Sequence, residues 1–275
     1  MRDTTKWPLF LLISSFLLQG CSDHADSDAD APPATPVSRI PVINFSVVGD
    51  FFHDTTSYTE GFLVHDGQLF ESTGHVDEVP SSRSLFGPVD SRTGHINAKV
   101  EKDAYFVEGI VFLKNRLYQL TYKTQLGFIY DAKTFRQLDS FRYANKEGWG
   151  LTTDGRQLIM SDGTDELTFL DPADLKSARK LKVTGDGIPR DSLNELEYIK
   201  GFIYANIWYN DHIVKIDPST GKVVGQLDLS SLGFQARLKY PEASVLNGIA
   251  YDSVTDKIYV TGKLWPNIYQ ISFPH

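Results

Sequence analysis

Residues Tyr58–Gly74 read YTEGFLVHDGQLFESTG: a short apolar run, a polar Asp-Gly turn and a second run of like length, the pattern of a tight β-hairpin. The same pattern returns four times, as FVEGIVFLKNRLYQLTYKT from Phe106, EGWGLTTDGRQLIMSDG from Glu147, LNELEYIKGFIYANIWYN from Leu193 and LNGIAYDSVTDKIYVTGK from Leu246. Aligned on Gly61, Gly109, Gly150, Glu195 and Gly248, the units are spaced by 48, 41, 45 and 53 residues, a period that suits a four-stranded propeller blade. Between them lies a second kind of hairpin, centred on an Asp turn: FGPVDSRTGHINAKVEK, FIYDAKTFRQLDSFRY, LTFLDPADLKSARKLKV and IVKIDPSTGKVVGQLDL. Two hairpins make one blade. The fifth unit stops at IYQISF without an outermost strand, whereas INFSVVGDFF from Ile43 has no partner of its own. The expected fold is therefore all-β, a five-bladed β-propeller whose N-terminal strand completes the last blade and closes the ring. Helix is expected only around Ser230–Lys239.

Composition agrees with that reading. Of 275 residues, 41% are apolar and 12% aromatic, with 21 Gly and 13 Pro against 2 Met, a balance of strand and turn formers. The formal net charge of −8 offers no basic footprint for a phosphate backbone, so nucleic acid is not an expected partner.

The N-terminus has a different character. Arg2 and Lys6 precede an apolar run from Trp7 to Leu18, and Leu17-Leu18-Gln19-Gly20-Cys21 resembles the lipobox of bacterial lipoproteins, with Gln19 an unusual occupant. Residues 1–20 are read as a signal peptide, Cys21 as the lipidated residue, 21–39 as a solvated acidic and Pro-rich tether, and 40–275 as the propeller domain. The expected location is a bacterial cell envelope facing the periplasm, or secretion where the lipobox is not used. Cys21 is the sole cysteine, so no disulfide is available to the folded part.

The repeat also places side chains. Residues just before the first strand and just after the second strand of each unit share one mouth of the central channel. The first set is Glu60, Glu108, Trp149, Asn194 and Asn247; the second is Gly74, Tyr122, Gly163, Trp208 and Lys263. Two carboxylates, two carboxamides, large aromatics and an ammonium around one opening make a pocket. Glu60 and Glu108, in equivalent places on adjacent strands, face one narrow space, where desolvation and mutual repulsion raise at least one pKa and make proton transfer available. The seven histidines show no zinc-binding spacing, and no nucleotide or nucleophile-elbow motif occurs.

Taken in order, YTEG, ESTG, FVEGI, EGWGL, SDG, LNELEY, ANIW, IDP, NGIAYD and TGKLWP resemble the plant and bacterial type of glutaminyl cyclase over essentially all of the chain after the tether. The resemblance implies a five-bladed propeller that converts an N-terminal glutamine into pyroglutamate with loss of ammonia. It implies Glu108 as the essential acid, Glu60 as its companion, and Trp149, Asn194, Trp208 and Lys263 as pocket residues. Tyr122 stands where the family usually has tryptophan. The implied partners are peptides or proteins with a free N-terminal glutamine; no cofactor is expected for catalysis, a structural calcium in the channel stays open, and a closed ring is expected to be a monomer. Two alternatives stand beside this reading: a calcium-dependent propeller hydrolase or lactonase in which Glu60, Glu108, Asn194 and Asn247 ligate the metal, and a non-catalytic envelope propeller that binds peptides or proteins.

Overall fold

The computed structural model describes residues 40–275. The signal peptide, Cys21 and the tether lie outside the described residues. Five four-stranded antiparallel sheets follow one another along the chain. Blade one comprises β2 (Thr59–His65), β3 (Gln68–Thr73), β4 (Leu85–Pro88) and β5 (Val100–Glu101). Blade two comprises β6 (Val107–Leu113), β7 (Arg116–Thr121), β8 (Leu126–Asp131) and β9 (Gln137–Arg142). Blade three comprises β10 (Leu151–Thr153), β11 (Leu158–Met160), β12 (Glu166–Leu170) and β13 (Ser177–Lys182). A small ribbon of β14 (Thr184–Gly185) and β15 (Ile188–Pro189), which the repeat did not announce, precedes blade four: β16 (Leu193–Ile199), β17 (Phe202–Ile207), β18 (His212–Ile216) and β19 (Val223–Asp228). The helix α1 (Ser230–Lys239) then leads into β20 (Leu246–Asp252), β21 (Lys257–Gly262) and β22 (Asn267–Ser272) of blade five.

The fourth strand of that last blade is β1 (Ser46–Phe52), which pairs antiparallel with β22 from Ser46↔Ser272 to Phe52↔Asn267, so the ring closes as the unpartnered segments required. Just before β1, the chain straps blade four: Ile43 N–H donates to the Gln226 carbonyl at 2.7 Å and Gln226 N–H to the Pro41 carbonyl at 2.9 Å. Just after β1, His53 locks the seam to blade one. Its Nδ1 donates to the Trp265 carbonyl at 2.7 Å and its Nε2 to Glu71 at 3.0 Å, while the Thr59 hydroxyl donates to Glu71 at 2.7 Å.

The core is divided among the contacts between blades. Each of five buried apolar clusters joins two neighbours: Phe169 with Val214 between blades three and four, Tyr118 with Met160 between two and three, Phe86 with Leu117 between one and two, Phe62 with Ile268 between one and five, and Tyr204 with Val260 between four and five. Outer hairpins turn on their aspartates, which accept backbone N–H bonds two residues on: Arg92 to Asp90, Lys133 to Asp131, Ala173 to Asp171 and Ser219 to Asp217. Inner strands pack so closely that a Cβ on Gly109 would lie 2.5 Å from the Leu151 nitrogen of the next blade.

Across the channel runs a separate staple. Glu195 takes the aligned place that is glycine in the other four units, and its carboxylate accepts the Phe62 N–H at 3.2 Å and the Ile249 N–H at 2.8 Å. These are backbone donors on the free edges of two innermost strands, which a sheet leaves without partners. Glu197 does the same one pleat on, accepting the Tyr251 N–H at 2.9 Å and the Thr152 hydroxyl at 3.3 Å.

Candidate active site

A β-bulge stands at Glu60, Glu108, Asn194 and Asn247, each near the start of an innermost strand. In blade two the register jumps from Val107↔Thr121 to Ile110↔Gln119, so Glu108 and Gly109 oppose a single residue. The same two-against-one slip occurs at Asn194-Glu195 and at Asn247-Gly248, and a slip of one residue occurs at Glu60. A bulge re-aims its side chain out of the alternation of the strand. Here it turns Glu60, Glu108 and Asn194 into the mouth of the channel.

The resulting pocket, about 190 Å³ or roughly six water volumes, is lined by Tyr58, Glu60, Val76, Phe106, Glu108, Tyr122, Trp149, Asn194, Trp208 and Lys263. Seven of the eight pocket residues expected from the sequence are thus together. Asn247 is the exception and is corrected here: it is fully buried, its amide nitrogen donates to the Thr59 carbonyl at 2.8 Å, and it binds blade five to blade one instead of facing the pocket. Of the four residues of the calcium alternative, Glu60 is already engaged by the Lys263 ammonium.

Tyr58 and Phe106 were missed, although the repeat carries them in one place, two residues before each acid. Glu147 holds that place in the third unit and accepts a hydrogen bond from the Trp149 indole at 2.9 Å, with Lys123 3.6 Å from its other oxygen. Gly74 and Gly163 contribute space: a Cβ would come within 2.2 Å of the Phe106 ring at the first and 2.7 Å of the Trp149 ring at the second. The aromatic wall falls in two groups, Tyr58 edge-on to Phe106 at 6.3 Å with Phe106 against Tyr122 at 5.7 Å, and Trp149 edge-on to Trp208 at 5.1 Å.

Inside this wall the charges are coupled. Glu60, Glu108 and Lys263 are all at least 96% buried, at 3%, 4% and 2% exposure. Burial raises Glu60, but the Lys263 ammonium opposes the rise. Burial also lifts Glu108, and the Glu60 carboxylate beside it lifts it further, so its acid stands well above the usual carboxylate range. Lys263 additionally lies over the Tyr58 ring at 4.3 Å. Two buried oxygens on the pocket walls, Oε2 of Glu108 and Oδ1 of Asn194, have no hydrogen-bond partner. Ser72 anchors the first acid from behind by donating to the Glu108 carbonyl at 2.7 Å, and Ser161 does the same for the Asn194 carbonyl at 2.7 Å. The arrangement offers one high-pKa acid, one carboxamide and one ion pair in an aromatic-lined pocket, the equipment for binding nitrogen donors and moving a proton between them.

Comparison with known proteins yields three concordant matches. A family model for glutamine cyclotransferase matches residues 13–273. The glutaminyl-peptide cyclotransferase of Arabidopsis thaliana is 41% identical over 229 residues, covering 82% of this chain and 70% of that protein. The crystal structure of Myxococcus xanthus glutaminyl cyclase superposes with a TM-score of 0.76 at 34% identity, covering 85% of this chain and 98% of that one.

Proposed function

The chain belongs to the glutamine cyclotransferase family, and from that membership we propose that Glu108 is the single proton shuttle of a glutaminyl-peptide cyclotransferase reaction carried out in this pocket. The enzyme converts the N-terminal glutamine of a peptide into pyroglutamate and releases ammonia.

The observation that carries the assignment of roles is the pair of unpartnered acceptors, Glu108 Oε2 and Asn194 Oδ1. Buried acceptors demand donors, and an N-terminal glutamine brings two nitrogen groups, its α-amine and its side-chain amide. A free α-amine has a pKa of about 7.7–8.0, so a useful neutral fraction exists near neutrality. The neutral amine attacks the δ-carbonyl carbon, forming the C–N bond of the five-membered ring. Glu108 takes the proton that the amine loses and gives it to the amide nitrogen, the C–N bond to that nitrogen breaks, and ammonia departs. One carboxyl serves both steps because the two nitrogens flank the same carbon, and its raised pKa makes it a better base than an ordinary carboxylate.

Glu60, held by Lys263, keeps a second charge beside Glu108 and adds to the rise that burial gives its pKa. Asn194 orients the amide, and Trp149, Trp208 and Tyr122 enclose the ring being formed and exclude water. Tyr122 is smaller than the tryptophan usual there, but it supplies no proton in this scheme, so the change bears on substrate packing. No metal is required in this mechanism. The test is ammonia release from a glutamine-initiated dipeptide, with and without chelator, by the wild type and by Glu108→Gln. Chelator-resistant release that disappears in the variant supports the scheme; release by the variant at the wild-type rate removes Glu108 from it. A chelator effect on Tm alone would reveal a structural calcium.

The run from Trp7 to Cys21 supports a lipid anchor on the envelope, and the closed ring supports a monomer, acting on periplasmic peptides and proteins. Cys21→Ala is then expected to move activity from the membrane to the soluble fraction.

A further inference from the structure

Resting on the cyclotransferase reading, we propose that Tyr209 forms an outer subsite for an aromatic side chain at the second position of the substrate, the residue that follows the glutamine. Three rings lead from the pocket to solvent. Trp149 lines the pocket at 8% exposure, Trp208 at the rim is 36% exposed, and Tyr209 is 75% exposed. Trp208 meets Trp149 edge-on at 5.1 Å, and Tyr209 leans on Trp208 at 4.3 Å with 39° between the planes.

The backbone that displays Tyr209 is a turn closed by the Asn210 N–H and the Ile207 carbonyl at 3.0 Å. Tyr209 occupies its third position at φ 57°, a left-handed conformation that glycine or asparagine adopts with less strain. Phe135 and Leu175 share that conformation elsewhere, but each lays its side chain against a core cluster. Tyr209 belongs to no core cluster and presents its ring to solvent, so core packing does not account for a large aromatic at this strained place.

Val76 also lines the mouth, on a turn closed by the Val79 N–H and the Val76 carbonyl at 3.1 Å. The half-buried Tyr58, its phenol raised by burial and by Glu60, lines the same pocket. With the glutamine inside and Trp208 at the rim, the second side chain reaches the open face of Tyr209. Aromatic rings stack offset or edge-on at such a face.

The experiment compares kcat/KM for Gln-Phe-amide and Gln-Gly-amide, read as ammonia release, in the wild type, Tyr209→Gly and Tyr209→Phe. Glycine suits φ 57°, so the first variant removes the ring without forcing the turn. The wild type is expected to favour Gln-Phe-amide by about two- to tenfold, the range of a single aromatic pair. That ratio should fall toward one in Tyr209→Gly and persist in Tyr209→Phe. A wild type without the preference, or a Tyr209→Gly variant that keeps it, overturns the subsite. No ammonia from either peptide with wild-type enzyme overturns the activity itself, and the subsite with it.

Discussion

The Lys263 ammonium pairs with the Glu60 carboxylate inside the pocket, and Glu108, on the neighbouring inner strand, is left as the acid with an unpartnered oxygen. The two carboxyls stand in equivalent places of adjacent repeats and burial raises both, yet one is paired with a cation and the other is lifted further by its neighbour's charge. Similar sequence contexts thus hold two different acids.

Glu108→Gln keeps the shape and removes the titrating group. Turnover is expected to fall by about 10²–10⁴, the usual worth of general acid-base help, with substrate affinity and Tm nearly unchanged. Steady-state ammonia release beside calorimetric titration of a glutamine dipeptide separates the two quantities. A parallel loss of affinity would assign Glu108 to binding.

The companions should move the pH profile in opposite directions. The Glu60 charge raises Glu108 and the Lys263 charge lowers it. Glu60→Gln is therefore expected to shift the ascending limb of kcat/KM to lower pH, and Lys263→Met to shift it to higher pH. The lysine variant also leaves Glu60 buried without its cation, which costs about 3–5 kcal/mol, recovered in large part when Glu60→Gln is added. Shifts of the same sign in both variants would refute the coupling.

Glu195 carries a structural prediction. Its removal in Glu195→Ala strands the Phe62 and Ile249 N–H groups inside the channel, at about 1–3 kcal/mol each. Urea unfolding should show a lower midpoint, while the proton shuttle stays in place. Its neighbour Glu197 is pushed up to about 8 by burial. Because the folded value lies above the ordinary one near 4.3, the stability tied to its proton is complete below that pH and lost as pH rises through about 8. Glu197→Gln should flatten that decline in a Tm series.

The seam between blades one and five has its own pH dependence. Burial alone would depress His53, but the Glu71 carboxylate outweighs it and the histidine stands above its ordinary value. Its contribution is therefore fully present below about 6.5 and lost as pH rises through the higher folded value. The Tm difference between wild type and His53→Gln should be widest near pH 6 and shrink toward pH 9. A constant difference would mean that the contact is not ionic.

The fold was legible because its information is periodic. Five copies of one hairpin named the blades, and the orphaned segments at Ile43 and Phe273 named the closure. The pocket was legible where the repeat aligned unlike residues, such as Glu108, Trp149 and Asn194. What escaped depends on contacts between units. Asn247 aligns with Asn194, but the Thr59 carbonyl of the next blade captures it. Val76 enters the pocket from a loop that only blade one has, and Glu195 reads as a departure from glycine until its two distant partners are seen.

The strap at Pro41–Ile43 has a mechanical consequence. Load on the amino-terminal end enters the ring first through two hydrogen bonds to Gln226, on the edge of blade four, and reaches β1 only after they break. Tension applied there is shared between two blades before it can peel the closing strand away. A chain clipped between Ile43 and Ser46 would deliver the same pull straight to the seam.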